Sequence, residues 1–160
     1  MLIRYLYTFF LAVLLVTFVG VGIAAFYKSP QRPEYPIETE PIVYEQNKLT
    51  SESAEVQQRR IKYEKDSRNF QKIEEVYNKN VSTIAIVAAL FILVVSITLL
   101  NKILYLSDGL LLGGVFTLIY SVIRGFSAGD EMFRFVVVSI GLAVAVFLGY
   151  WKFVRTQKKK

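Results

Sequence analysis

The sequence predicts an all-α integral membrane protein with four transmembrane helices, the second continuous with a long polar extramembrane helix. Three observations lead there. Apolar runs of roughly 20 residues, the length that crosses a ~30 Å hydrocarbon core as a helix, occur four times. Of 160 residues, 54% are hydrophobic, more apolar surface than a soluble domain of this length can bury. Between Ile42 and Asp108 there is neither glycine nor proline. Nothing there stops a helix that starts in the polar segment from entering the second span.

Residues 1–27 read as a signal-anchor transmembrane helix. Arg4 precedes the apolar run Leu6 to Phe26, which ends among the small residues Gly22, Ala24 and Ala25. That order resembles a secretory signal, but a cleaved apolar region is usually about 7–15 residues, shorter than this run. The expectation is an uncleaved anchor. Gly20 and Ala24 then read as a packing notch.

Residues 28–49 form an extended spacer. They hold all four prolines, and Pro30, Pro33 and Pro36 recur at every third residue, one turn of polyproline II. Such a segment could fill a proline-binding groove. The acidic residues Glu34, Glu38 and Glu40 lie among the prolines, and a semi-rigid spacer is the preferred reading.

Residues 50–80 are expected to be a helical stalk. Thr50 or Ser51 can cap it, and Glu52 and Glu55 suit its positive end. Leu49, Val56, Tyr63, Phe70 and Tyr77 recur every seven residues, and Ile73 joins that face. Arg59 and Asp66 stand where a coiled coil wants leucine. The stripe is therefore narrow, suited to docking on a partner rather than to strong self-association. Val56, Tyr63, Phe70, Ile73 and Tyr77 are the candidate partner-contact residues. About ten Lys and Arg between 28 and 80 are nearly cancelled by acids, so no nucleic-acid face is expected.

Residues 81–153 form a three-helix transmembrane block, followed by a basic tail at 154–160. The second span is placed at about Val81 to Leu100 and the third at about Asp108 to Arg124, with Ser107 as its N-cap. The fourth is placed at about Met132 to Trp151. Gly125, Ser127, Gly129 and Asp130 supply the turn before it. Gly109, Gly113, Thr117 and Ser121 lie four apart on one face of the third span; Gly141, Ala145 and Gly149 do the same in the fourth. Lipid gives apolar helices no hydrophobic reason to associate, so small residues matter by letting backbones approach. The two stripes are the candidate helix-packing residues, and tight pairing of spans three and four is expected.

Composition excludes much chemistry. Cysteine is absent, so disulfides and iron–sulfur clusters are excluded. Histidine is absent, which removes the commonest proton shuttle and haem ligand. No catalytic, cofactor-binding or metal-binding residue is assigned, and no enzyme activity is expected. Net charge is +6. Much of it sits in Lys152, Arg155, Lys158, Lys159 and Lys160, which argues for cytoplasmic N- and C-termini and extracytoplasmic residues 28–80. The basic residues of the 28–80 segment argue the other way, but they are dispersed. Asn80-Val81-Ser82 is formally a glycosylation sequon that abuts the bilayer.

The functional expectation is a small accessory or scaffold subunit in a plasma or inner membrane. Its partners are the lipid bilayer and other membrane-protein subunits. The alternative is a homo-oligomeric channel or transporter-like protein lined by Thr117 and Ser121. A lipid-directed membrane enzyme would need Asp108 to converge with Asp130 and Glu131, which this topology places at opposite ends.

Overall fold

The computed structural model describes residues 2–34, 54–99 and 104–157. Among them the protein is all-helical: α1 (Leu2–Phe26), α2 (Ala54–Leu99), α3 (Leu104–Phe126) and α4 (Glu131–Gln157). Each contains a stretch long and apolar enough to cross a membrane. Thr50, Ser51, Leu49, Pro36, Pro41 and Lys158–Lys160 lie outside the described residues, as does the side chain of Val56.

α2 runs without interruption through Asn80 and Val81, where polar sequence gives way to apolar. α3 begins at Leu104 rather than near Asp108. Ser107 is therefore not an N-cap: it lies inside the helix, fully buried, and its hydroxyl is used against α2. At the far end α3 continues through Gly125 to Phe126. The turn falls on Ser127 to Gly129, and Gly129 takes a φ of +70°. A Cβ there would also stand 2.5 Å from the Glu75 carboxyl carbon. The positive φ favours glycine at that position, whereas the exposed, flexible Glu75 side chain could swing aside. Asp130 then caps α4 through Oδ1, which accepts from Met132 N at 3.0 Å and Phe133 N at 3.2 Å.

The chain divides into two compact units. One comprises Met1–Ser29 and Glu75–Lys160. In it, α1 joins the other helices rather than standing apart. α1 and α3 run parallel, since Leu11 meets Gly109 and Leu15 meets Gly113. α2 and α3 run antiparallel, as do α3 and α4, where Val137 meets Gly125. Two apolar clusters hold the bundle. Ile23, Tyr77, Val81 and Ala85 form one, and Ala89, Leu93, Leu118 and Leu148 form the other.

The second unit is Pro30–Glu74. Its helical residues, Ala54 onward in α2, expose Ile61 and Ile73 and carry an exposed Glu64–Arg68 pair one turn apart at 3.5 Å. Such a surface pair contributes little, on the order of 0–1 kcal/mol.

Candidate functional site

The polar residues of the bundle gather in four layers. In the middle layers, serines from α2 and α3 pair. Ser82 Oγ donates to Ser121 O at 2.9 Å, and Ser121 Oγ donates to Ser82 O at 2.9 Å. Ser96 and Ser107 repeat the arrangement at 2.8 and 2.7 Å. All four serines are fully buried. Between the two clasps lie Ala89 of α2 and Gly114 of α3, so that Ser82, Ala89, Ser96 and Ser107, Gly114, Ser121 each recur every seven residues. That period keeps one seam of each helix facing the other. The small side chains bring the backbones close enough for each hydroxyl to reach the opposite carbonyl. At 1.5 Å per residue the clasps stand about 21 Å apart along the helices. The heptad and the four-residue stripe of α3 share Ser121 and otherwise use different positions.

That stripe divides its contacts. Gly109 and Gly113 are buried against α1, not α4: a Cβ on Gly109 would lie 2.6 Å from Leu11 Cδ2, and one on Gly113 would lie 3.4 Å from the Ala12 Cα. Thr117 is fully buried and donates to Gly113 O within its own helix at 2.8 Å. Ser121 turns to α2. In α4, Gly141 meets only Val122, at 3.8 Å, Gly149 meets nothing within 4 Å, and Ala145 is exposed. The expected tight pairing of the two small stripes is therefore replaced by a close α1–α3 contact. The physical reason is the groove left by Gly109 and Gly113, which the leucines of α1 fill.

At one end of the bundle is a network of longer side chains. The Tyr27 and Tyr77 rings stack with centroids 5.1 Å apart and planes 4° apart. Tyr77 Oη donates to Tyr27 O at 3.3 Å, and Asn80 Nδ2 donates to Tyr27 Oη at 2.8 Å. Arg124 donates from Nη1 to Asn78 Oδ1 at 3.0 Å and from Nε to Tyr120 Oη at 3.3 Å. Asn78 in turn donates to Ser127 O at 3.4 Å. Lys79 Nζ lies 3.1 Å from Asp130 Oδ2 and 5.1 Å from the Phe133 ring centroid. The amide hydrogen bond from Phe133, with the Lys79 ammonium beside it, holds the Asp130 carboxyl below its ordinary range.

This network bears on one of the partner-contact candidates and on the sequon. Tyr77, expected to contact a partner, is buried against Tyr27 within the bundle. The sequon is folded into α2 with Asn80 engaged by Tyr27 and Ser82 fully buried. Of the remaining partner-contact candidates, Tyr63 and Phe70 are half-buried and Ile73 is exposed.

At the opposite end, the Arg4 guanidinium lies over the Tyr105 ring, 4.7 Å from its centroid. Both line a cavity of about 390 Å³ with Tyr5, Thr8, Asp108, Leu111 and Leu112. Asp108 thus sits with the start of α1, separated from Asp130 and Glu131 by the length of α3. Among the described residues no group of three carboxylates comes together to hold a metal ion. Comparisons with protein-family models, with curated proteins and with solved structures found no match to this chain.

Proposed function

We propose that the protein is a multi-pass membrane protein serving as a non-catalytic accessory or scaffold subunit of a membrane complex, with both termini cytoplasmic and residues 28–80 extracytoplasmic. The observation that carries this reading is that α2 adds to its apolar span a helical segment bearing Phe70, exposed Ile61 and exposed Ile73. Apolar side chains turned to water on a charged helix favour a protein partner. Support also comes from the interior. The hydroxyls of Thr117 and Ser121, the residues a channel would use, donate to Gly113 O and Ser82 O. Hydroxyls bonded within a helix seam are poor lining for an ion path, which favours the scaffold reading over a homo-oligomeric channel.

The test is purification from the native membrane in mild detergent, with the intact-complex mass and the identity of co-purifying chains. A stoichiometric partner is expected. Phe70→Ala combined with Ile73→Ser should reduce its recovery by at least fivefold without changing helical content. A clean homo-oligomer that passes ions in liposomes would replace this reading with the channel.

A further inference from the structure

We infer that the cavity between the N-terminal ends of α1 and α3 binds the headgroup of an amine-bearing, zwitterionic phospholipid. This rests on the membrane reading above. The cavity, at about 390 Å³, falls within the ~300–1,000 Å³ range of small-ligand sites. Its wall carries both signs of charge, Arg4 and Asp108, together with the aromatic rings of Tyr5 and Tyr105 and the apolar Leu111 and Leu112.

Each group matches one part of such a lipid. The Arg4 guanidinium carbon lies over the Tyr105 ring, 4.7 Å from its centroid. A guanidinium binds phosphate through its in-plane N–H donors. α1 and α3 run parallel, so both present their positive dipole ends here, which also favours a phosphate. The Asp108 carboxylate offers a primary ammonium both charge and acceptors. Leu111 and Leu112 continue the wall into the apolar part of α3, where the glycerol and upper acyl chain would lie. A purely anionic lipid would gain Arg4 but meet the repulsion of Asp108. Tyr105 opens the apolar stretch of α3, and Arg4 lies in the first turn of α1. Both positions suit the depth of headgroups.

The test is native mass spectrometry of the full chain in detergent. It is offered equal amounts of phosphatidylethanolamine and phosphatidylglycerol of the same acyl chains, and separately the soluble headgroup glycerophosphoethanolamine. Phosphatidylethanolamine should be retained at least fivefold over phosphatidylglycerol. Asp108→Asn should reduce that preference below twofold, and Arg4→Gln should lower retention of both lipids. Should Asp108→Asn lose helical content, Arg4→Gln, at an exposed first turn, carries the test alone. Equal retention of the two lipids by the wild-type chain, or unchanged retention in the variants, overturns the proposal. Free headgroup bound as tightly as the lipid overturns it as well, in favour of a soluble phosphate ester. Flotation of the wild-type chain with liposomes after an alkaline wash separates the two levels. A chain that floats but shows no preference sinks this inference only; a chain that does not float sinks the membrane reading too.

Discussion

Ser82 and Ser121 each donate a hydroxyl proton to the other's backbone carbonyl, at 2.9 Å in both directions. Each serine has a single hydroxyl proton, so the 3.2 Å approach of the two oxygens is a contact and not a third bond. The pair is a two-way cross-link between helices, with both serines fully buried from water. Ser82→Ala is expected to destabilise the α2–α3 hairpin by about 1 kcal/mol, the scale of hydrogen bonds between membrane helices. Adding Ser121→Ala should cost less than a second full increment, because the two bonds share their partners. Unfolding of the wild type, the two single variants and the double variant in mixed micelles gives the coupling energy directly. Strict additivity would mean the clasp does not act as a unit.

Gly114 of α3 packs against Leu93 of α2. A Cβ there would stand 2.6 Å from Leu93 Cδ2 and 2.8 Å from Leu93 Cγ, and Leu93 is itself in the core. Gly114→Val should therefore destabilise by about 1–3 kcal/mol through overpacking. Gly149→Val should fall within about 0.5 kcal/mol of wild type, since nothing lies within 4 Å of its position. The contrast between two glycines in apolar helices is read by thermal unfolding in one detergent. Equal effects would contradict the packing described.

Leu11 and Gly109 make a complementary pair across α1 and α3. Gly109→Ala brings a methyl to 2.6 Å from Leu11 Cδ2, so α1 must shift or Leu11 must turn aside. Gly109→Ala is expected to weaken α1 docking, and Leu11→Ala in the same chain should recover part of the loss. A cysteine introduced in each helix and cross-linked at increasing temperature would follow docking. Absence of any rescue would show that the two residues do not share the contact.

Tyr77 joins α2 to the end of α1 by stacking and by one hydrogen bond. Tyr77→Phe keeps the stack and should cost about 0.5–1.5 kcal/mol. Tyr77→Ala removes both and should cost about 3–5 kcal/mol, as for other large buried rings. Protease protection of the α1–α2 end measures both. A partner-contact role for Tyr77 would instead leave the isolated protein's stability unchanged.

Asp130 ties the α3–α4 turn to Lys79 and caps α4. Its folded pKa lies below the unfolded value near 3.9. A depressed carboxylate stabilises the fold above the unfolded pKa and loses that contribution as pH falls through the folded one. Amide exchange at the start of α4 should therefore be insensitive to this group between pH 5 and 8 and should accelerate below about pH 4. Asp130→Asn can still cap, so it should retain most of the protection and lose the acid-dependent step. An unchanged acid profile in Asp130→Asn would assign that step to another group.

The sequence by itself determined the four apolar helices and the unbroken passage of α2 from polar to apolar residues. Hydropathy and the lack of Gly and Pro are properties of one segment, so each helix could be located without its neighbours. Gly129 and Asp130 were legible as turn residues for the same reason, because turn chemistry is local. The tertiary structure alone decided which faces meet. A helix that is apolar on every side has no amphipathic signal to point one face inward, so steric fit selects the contact. The stripe holding Gly109 and Gly113 was expected to face α4, and the side chains of Leu11 and Leu15 on α1 fill it instead. Ser107 has the chemistry of a cap, and only Ser96 on the facing helix makes it part of a clasp. Tyr77 belongs to the stalk's apolar stripe, and only Tyr27, 50 residues away in the chain and stacked on it, turns it inward. Arg4 and Tyr105, distant in sequence, became neighbours only because α1 and α3 lie parallel, and that parallel packing also makes the cavity between them.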